Sequence, residues 1–207
     1  MMRLTDPTEP RRPDGKALFI LVVLLAALVV AAAIAVIARS SAAREHEELD
    51  RLCALNPGAA VRDWTHIVIH HSGTDAGDAA SFDRYHRKLG WARGLGYDFV
   101  IGNGTRTGDG QIEVGERWKA QLDGAHCRAA GMNRRAIGIC FVGDFEKTSG
   151  PTDAQLAAGQ ALVGYLARRL DIPPRNVLGH GQVPGAHTDC PGKHFPMAAL
   201  RSAAARR

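Results

Sequence analysis

Nine histidines are many for a chain of 207 residues, and their placement matters more than their number. His70 closes an apolar, β-rich segment running from His66 to His71. His180 comes just after a second such segment, Asn176 to Leu178, and Cys190 lies ten residues further on, in a turn stiffened by Pro191 and Gly192. Sheets of α/β domains present their ligands at strand ends and in the loops that follow. Two imidazoles and one thiolate make a three-donor zinc set, which leaves the fourth tetrahedral position to water, as catalysis requires. Spacing alone keeps a second reading open. A His-His pair such as His70-His71 can sit on a surface, and a cysteine beside a turn can be buried or disulfide-bonded. No local rule such as C-x-x-C ties the three residues together.

The elements that must bring them together are legible as an α/β pattern from about Asp63 onward. In His66 to His71, Ile67 and Ile69 alternate with Val68 and His70, so His71 points away from the face of His70 and reads as packing or support. Further strand candidates are Tyr97 to Ile101, a short hairpin strand at Gln111 to Val114, the apolar run Ala136 to Val142, and Asn176 to Leu178. Ser81 to Leu89 suits a short helix. Thr152 with Gln155 three positions later is a capping box, opening a helix whose Leu156, Val163, Leu166 and Leu170 form one stripe and which Pro173 and Pro174 stop. Trp91 and Trp118 read as packing residues, and Glu113 and Glu116 as surface charge.

A composition 45% hydrophobic and 23% charged is that of a globular chain, here one domain with an appendage. The appendage is the uncharged run Ala17 to Ala38, 22 residues bounded by Lys16 and Arg39. As a helix it would span about 33 Å, enough for a bilayer core of about 30 Å and too long for the apolar core of a cleaved signal. Arg3, Arg11, Arg12 and Lys16 precede it, against Arg39, Arg44 and Arg51 after it, which favours a cytoplasmic N-terminus. Ser40 to Leu55 reads as a charged helical stalk ended by Asn56, Pro57 and Gly58. The net charge of +5 fits an anionic polymer or surface. No stretch interleaves Lys and Arg with aromatics as a nucleic-acid platform would, so no nucleic acid is expected as a partner. An outward-facing domain permits disulfides; with Cys190 set aside, Cys127 and Cys140 are a candidate pair, and Cys53 could cross-link two chains.

Four blocks then stand out together: Ile67-Val68-Ile69-His70-His71-Ser72; Gly96-Tyr97-Asp98-Phe99-Val100-Ile101-Gly102; Ile137-Gly138-Ile139 with Gly143-Asp144-Phe145; and Gly179-His180 through Asp189-Cys190-Pro191-Gly192. In this order they resemble the type 2 N-acetylmuramoyl-L-alanine amidase and peptidoglycan recognition protein family, over roughly Trp64 to Leu200. The resemblance implies a mixed β-sheet flanked by helices, a Zn2+ ion held by His70, His180 and Cys190, and hydrolysis of the lactyl-L-alanine amide of peptidoglycan. It implies Tyr97 as catalytic tyrosine, and Thr188, or its neighbour His187, as a second donor to the oxyanion. Some relatives carry a glutamate where Cys140 stands, so no carboxylate base is assigned there. Gly124-Ala125-His126 and Asn133 resemble the segment lining the groove, which makes His126 and Asn133 candidate substrate contacts. The implied division is a cytoplasmic tail (1–16), a transmembrane anchor (17–38), a stalk (39–62), a zinc amidase domain (63–201) and a basic tail (202–207). The expected setting is the bacterial inner membrane, with the domain on the periplasmic side and muropeptide as substrate; the oligomeric state is not set. The main rival is a muropeptide-binding receptor of the same fold without activity, which typically lacks a full ligand set. A third reading is a zinc enzyme for another amide, such as a cytoplasmic muropeptide.

Overall fold

The computed structural model describes residues 15–206. Most of the tail expected at 1–16, with Arg3, Arg11 and Arg12, lies outside the described residues, as does Arg207. The chain divides into two compact units, Met1–Glu47 and Glu48–Arg207. Helix α1 (Gly15–Leu52) contains the apolar run, and its large side chains from Leu18 to Ile37 are exposed. By length and composition alone it is a candidate membrane span. An exposed surface of this kind is costly in water and favourable in lipid.

The second unit is built on one five-stranded sheet in the order β3-β2-β4-β1-β5. Its strands are β1 (His66–His71), β2 (Phe99–Ile101), β3 (Ile112–Val114), β4 (Ala136–Phe141) and β5 (Val177–Gly179). β1 pairs in parallel with both β4 and β5, β2 pairs in parallel with β4, and β3 closes the edge antiparallel to β2. The sheet is therefore mixed, and helices flank it: α2 (Ala79–Lys88), α3 (Glu116–Lys119), α4 (Met132–Arg135), α5 (Asp153–Arg169) and α6 (Met197–Ala205). Period-two alternation divides the faces. Ile67, Ile69, Phe99, Ile101, Ile137, Ile139 and Phe141 pack against Leu162, Val163, Leu166 and Leu200 in the main core, while Val68, His70, Gly138 and Cys140 look the other way.

α5 starts where its capping box predicts. Thr152 Oγ1 accepts from Gln155 N at 3.0 Å and Gln155 Oε1 accepts from Thr152 N at 3.2 Å. The amide of Gln155 also donates to Ile101 O and Val142 O, at 3.1 and 3.0 Å. One buried residue thus caps the helix and ties it to the ends of β2 and β4.

Several expectations are revised by packing. The segment expected as a charged helical stalk joins the fold at its end, because Leu49 and Cys53 are buried in the main core and Asp50 takes the Tyr165 hydroxyl at 2.6 Å. Cys53 is 1% exposed, which removes it from any cross-link between folded chains. Cys127 and Cys140 are free thiols in different packing clusters, so they form no internal pair. α6 was not foreseen; it takes in part of the segment read as a basic tail and buries Ala203 and Ala204. Glu113 and Glu116 are used structurally: Glu113 Oε2 accepts from Ala79 N at the start of α2, and Glu116 Oε1 from Asn56 Nδ2. Trp118 packs as expected and donates to Cys53 O at 3.0 Å.

Candidate metal centre and groove

His70, His180 and Cys190 each bring one donor atom into a cluster in which all three atoms lie within 4.8 Å of one another. Parallel pairing explains the meeting. β5 lies beside β1 with Ile69 opposite Gly179, so the residues that follow each strand's last pairing emerge side by side at the same carboxyl edge. The loop to Cys190 is then folded back by backbone bonds. Gly181 N donates to Cys190 O at 2.7 Å, and Gly192 N to Asp189 O at 2.6 Å. Gly192 has φ +98°, and a Cβ there would stand 2.3 Å from the Phe145 carbonyl carbon; only glycine lets this turn press on the Gly143–Phe145 segment. The turn bearing His180 is fixed from α6, where Arg201 Nε donates to Val177 O at 3.0 Å and a second guanidinium nitrogen reaches Gln182 Oε1.

The electrostatics suit a cation. His70 is 1% exposed, and burial, followed by the neighbouring His126 and His180 rings, holds its pKa well below the ordinary histidine value. His180 is lowered by burial as well. Both rings are then neutral at physiological pH, the state that ligates metals. Burial pushes the Cys190 thiol up to about 12, opposed by a hydrogen bond from His71 N, which meets the sulfur at 3.4 Å. A thiolate at this spot needs a positive charge to replace its proton. The residues fit zinc: two neutral nitrogens and one sulfur with an N–H already aimed at it, a three-donor set of the catalytic kind. His71 itself turns to the other face, where its Nδ1 accepts from Phe145 N at 3.1 Å.

Tyr97 stands beside the set, its ring centroid 5.2 Å from that of His70. Burial, then the Cys140 and Cys190 thiols, the first of them hydrogen-bonded to it, raise its pKa well above the usual phenol value, so its hydroxyl stays protonated. Thr188 is exposed, and its Oγ1 accepts from Cys190 N at 3.2 Å, which leaves the hydroxyl hydrogen available. His187 is exposed on the same loop. His126 is placed differently from the groove contact expected of it. The His126 side chain has no exposed surface, its Nδ1 lying 3.0 Å from His70 Nε2. Asn133 Oδ1 accepts from the backbone N–H of His126 and of Cys127, at 2.8 and 2.7 Å. These two bonds hold the loop that carries His126.

A groove of ≈ 340 Å³ adjoins Tyr97, lined by Ser72, Thr74, Ala76, Ser81, Phe82, Tyr85, His86 and Arg106. Its two loops are tied by Asn103 Nδ2 donating to Asp75 O at 2.9 Å and Gly77 N donating to Thr105 Oγ1 at 3.3 Å. Sequence reading missed these residues because polar loop residues carry no periodic signal; only the Gly-rich stretch after β2 marked a loop there.

The profile of the N-acetylmuramoyl-L-alanine amidase family matches residues 60–193. The chain belongs to this family. Among curated relatives, the amidase-family region is 35% identical to peptidoglycan-recognition protein SC2 of Drosophila melanogaster over 144 residues, 63% of this chain and 70% of that protein. The endolysin N-acetylmuramoyl-L-alanine amidase LysCS from Clostridium intestinale superposes with a TM-score of 0.58 at 28% identity, covering 74% of this chain and 95% of the endolysin. Peptidoglycan recognition protein LE, solved with tracheal cytotoxin, a monomeric diaminopimelic acid-type peptidoglycan, gives 0.52 at 25% identity, over 68% of this chain and 81% of that one. The similar proteins thus include ones named N-acetylmuramoyl-L-alanine amidase and ones named for peptidoglycan recognition.

Proposed function

We propose that the chain is a zinc-dependent N-acetylmuramoyl-L-alanine amidase of the bacterial inner membrane, anchored through residues 17–38 with domain 63–201 on the periplasmic side. The observation that carries this reading is the convergence of the His70, His180 and Cys190 donor atoms within 4.8 Å, next to the protonated Tyr97. These three residues would hold the ion. When bound, zinc supplies a Lewis acid for the amide carbonyl and lowers the pKa of water to about 7. Tyr97 donates its hydroxyl hydrogen to the oxygen on which negative charge develops, and Thr188 is the second donor, with its oxygen already committed to Cys190 N. Such donors favour the transition state because their dipoles are set before charge appears. His70 is 1% exposed, and its buried surroundings strengthen the interactions it makes.

The relatives named as recognition proteins motivate the second reading, muropeptide binding without hydrolysis. Incubation of the full chain in detergent with purified sacculi separates the two. Hydrolysis exposes new L-alanine amino termini, is abolished by a chelator and is restored by zinc, and Cys190→Ser loses bound zinc and activity together. Tight binding with no new amino termini would favour recognition, and full activity in Cys190→Ser would remove the donor assignment. Orientation rests on the charge difference across the apolar run and on α1 as a candidate span. Protease added to intact spheroplasts is expected to digest the domain; digestion only after membrane lysis would reverse the topology.

A further inference from the structure

We infer that His126 is a positioning residue that sets the tautomer of His70, through a buried chain running from the Ala136 carbonyl to the metal-facing nitrogen. The inference rests on the zinc reading above and follows from three contacts. His126 Nε2 lies 3.2 Å from Ala136 O. A carbonyl only accepts, so this nitrogen carries the proton. With that N–H aimed at the carbonyl, a ring carrying one proton leaves Nδ1 a bare lone pair. That Nδ1 lies 3.0 Å from His70 Nε2, so His70 must supply the N–H. His70 Nδ1 is then bare, and it is this nitrogen that stands 3.6 Å from Cys190 Sγ, on the side of the donor cluster. One main-chain carbonyl on β4 thereby decides which nitrogen of a first-strand histidine can take a metal.

The fold is shaped around this ring. A Cβ at Gly138 would lie 2.4 Å from His126 Cδ2, and one at Gly124 would lie 2.5 Å from the same atom. Two glycines therefore form a slot in which the imidazole lies against β4. Asn133 holds the entry by binding the main-chain N–H of His126 and Cys127. Asp98 Oδ2, 4.0 Å from His126 Nε2, adds a second oxygen on the proton-bearing side.

The test uses the metal-free full chain in detergent with 15N-labelled histidine rings. Long-range proton–nitrogen spectra are expected to place the His70 proton on Nε2 in the wild type. His126→Leu, which has no acceptor, is expected to shift that proton toward Nδ1 and to weaken zinc binding about 10- to 100-fold in competition with a chromophoric chelator. His126→Asn puts a carbonyl oxygen close to the lost Nδ1 and is expected to recover part of the affinity. A wild-type His70 protonated on Nδ1 would overturn the inference whether or not any variant folds, as would His126→Leu with unchanged tautomer and zinc affinity within about twofold of wild type. A wild type with His70 protonated on Nε2 that binds zinc yet cuts no sacculi would remove the amidase reading and leave the role of His126 standing.

Discussion

Tyr97 sits between an imidazole and two thiols, surroundings that favour the neutral phenol. A neutral hydroxyl is useful only where negative charge appears during reaction, so its contribution belongs to the transition state and not to binding. Tyr97→Phe is accordingly expected to lower kcat about 10²- to 10³-fold with KM nearly unchanged, measured on muropeptides of one defined length. An equal rise in KM with kcat intact would make Tyr97 a groove contact instead. Thr188→Val is expected to cost more than His187→Ala in the same assay, since Thr188 is the residue tied to Cys190. At this scale the sequence told which residues to suspect. His70 and His180 stood out because strand ends are readable from alternation, and Cys190 because Pro191 and Gly192 mark the turn that holds it. The orientation of His126 was not readable, because it depends on a loop held by Asn133 and on empty space over Gly138, neither of which has a local signature.

Elements carry those side chains only as well as their own ends are fixed. Thr152 and Gln155 announced the start of α5 in the sequence, since a capping box is a local pattern. The second task of Gln155, donating to Ile101 O and Val142 O, was hidden, because it links strands far apart in the chain. The two roles separate by mutation. Thr152→Ala removes one cap and is expected to cost about 1 kcal/mol. Gln155→Leu also takes the amide donor from two carbonyls; Ile101 O keeps the Val142 N–H at 3.0 Å, so the added cost falls mainly on Val142 O, at about 1–3 kcal/mol if it is left unsatisfied. Urea unfolding of the two variants is expected to rank Gln155→Leu well below Thr152→Ala; equal midpoints would mean that water replaces the amide at the strand ends. β2 begins at Phe99, two residues after the start expected from the sequence at Tyr97. The two extra residues are those with site roles: Tyr97 beside His70, and Asp98 bound to Gly138.

For the molecule as a whole, the apolar helix and the α/β class were legible because both depend on composition and period. The order β3-β2-β4-β1-β5 was not, since parallel neighbours are set by packing between distant segments. Asp98 shows the same limit in its chemistry. Asp98 lies between Tyr97 and Phe99 and is fully buried, and its Oδ2 accepts from Gly138 N at 2.7 Å. Its Oδ1 is buried without a hydrogen-bond partner. Burial raises its pKa from 3.8 to about 7, opposed by the Gly138 bond and the Arg117 charge. The sign follows directly: between those two values the folded protein keeps a proton that the unfolded chain has lost, so rising pH costs stability across this window. The slope is at most about 1.4 kcal/mol per pH unit for one group. Asn keeps the shape and the oxygen that accepts from Gly138 N but never ionises. The stability of Asp98→Asn relative to wild type is therefore expected to rise from about pH 4 to about pH 7 and to level off above. Urea unfolding of both full chains at fixed pH steps, with chelator present throughout so that metal binding does not shift the balance, measures that difference. Curves that stay parallel across the window would mean that Asp98 is already ionised in the fold, with a cation or water meeting its free oxygen.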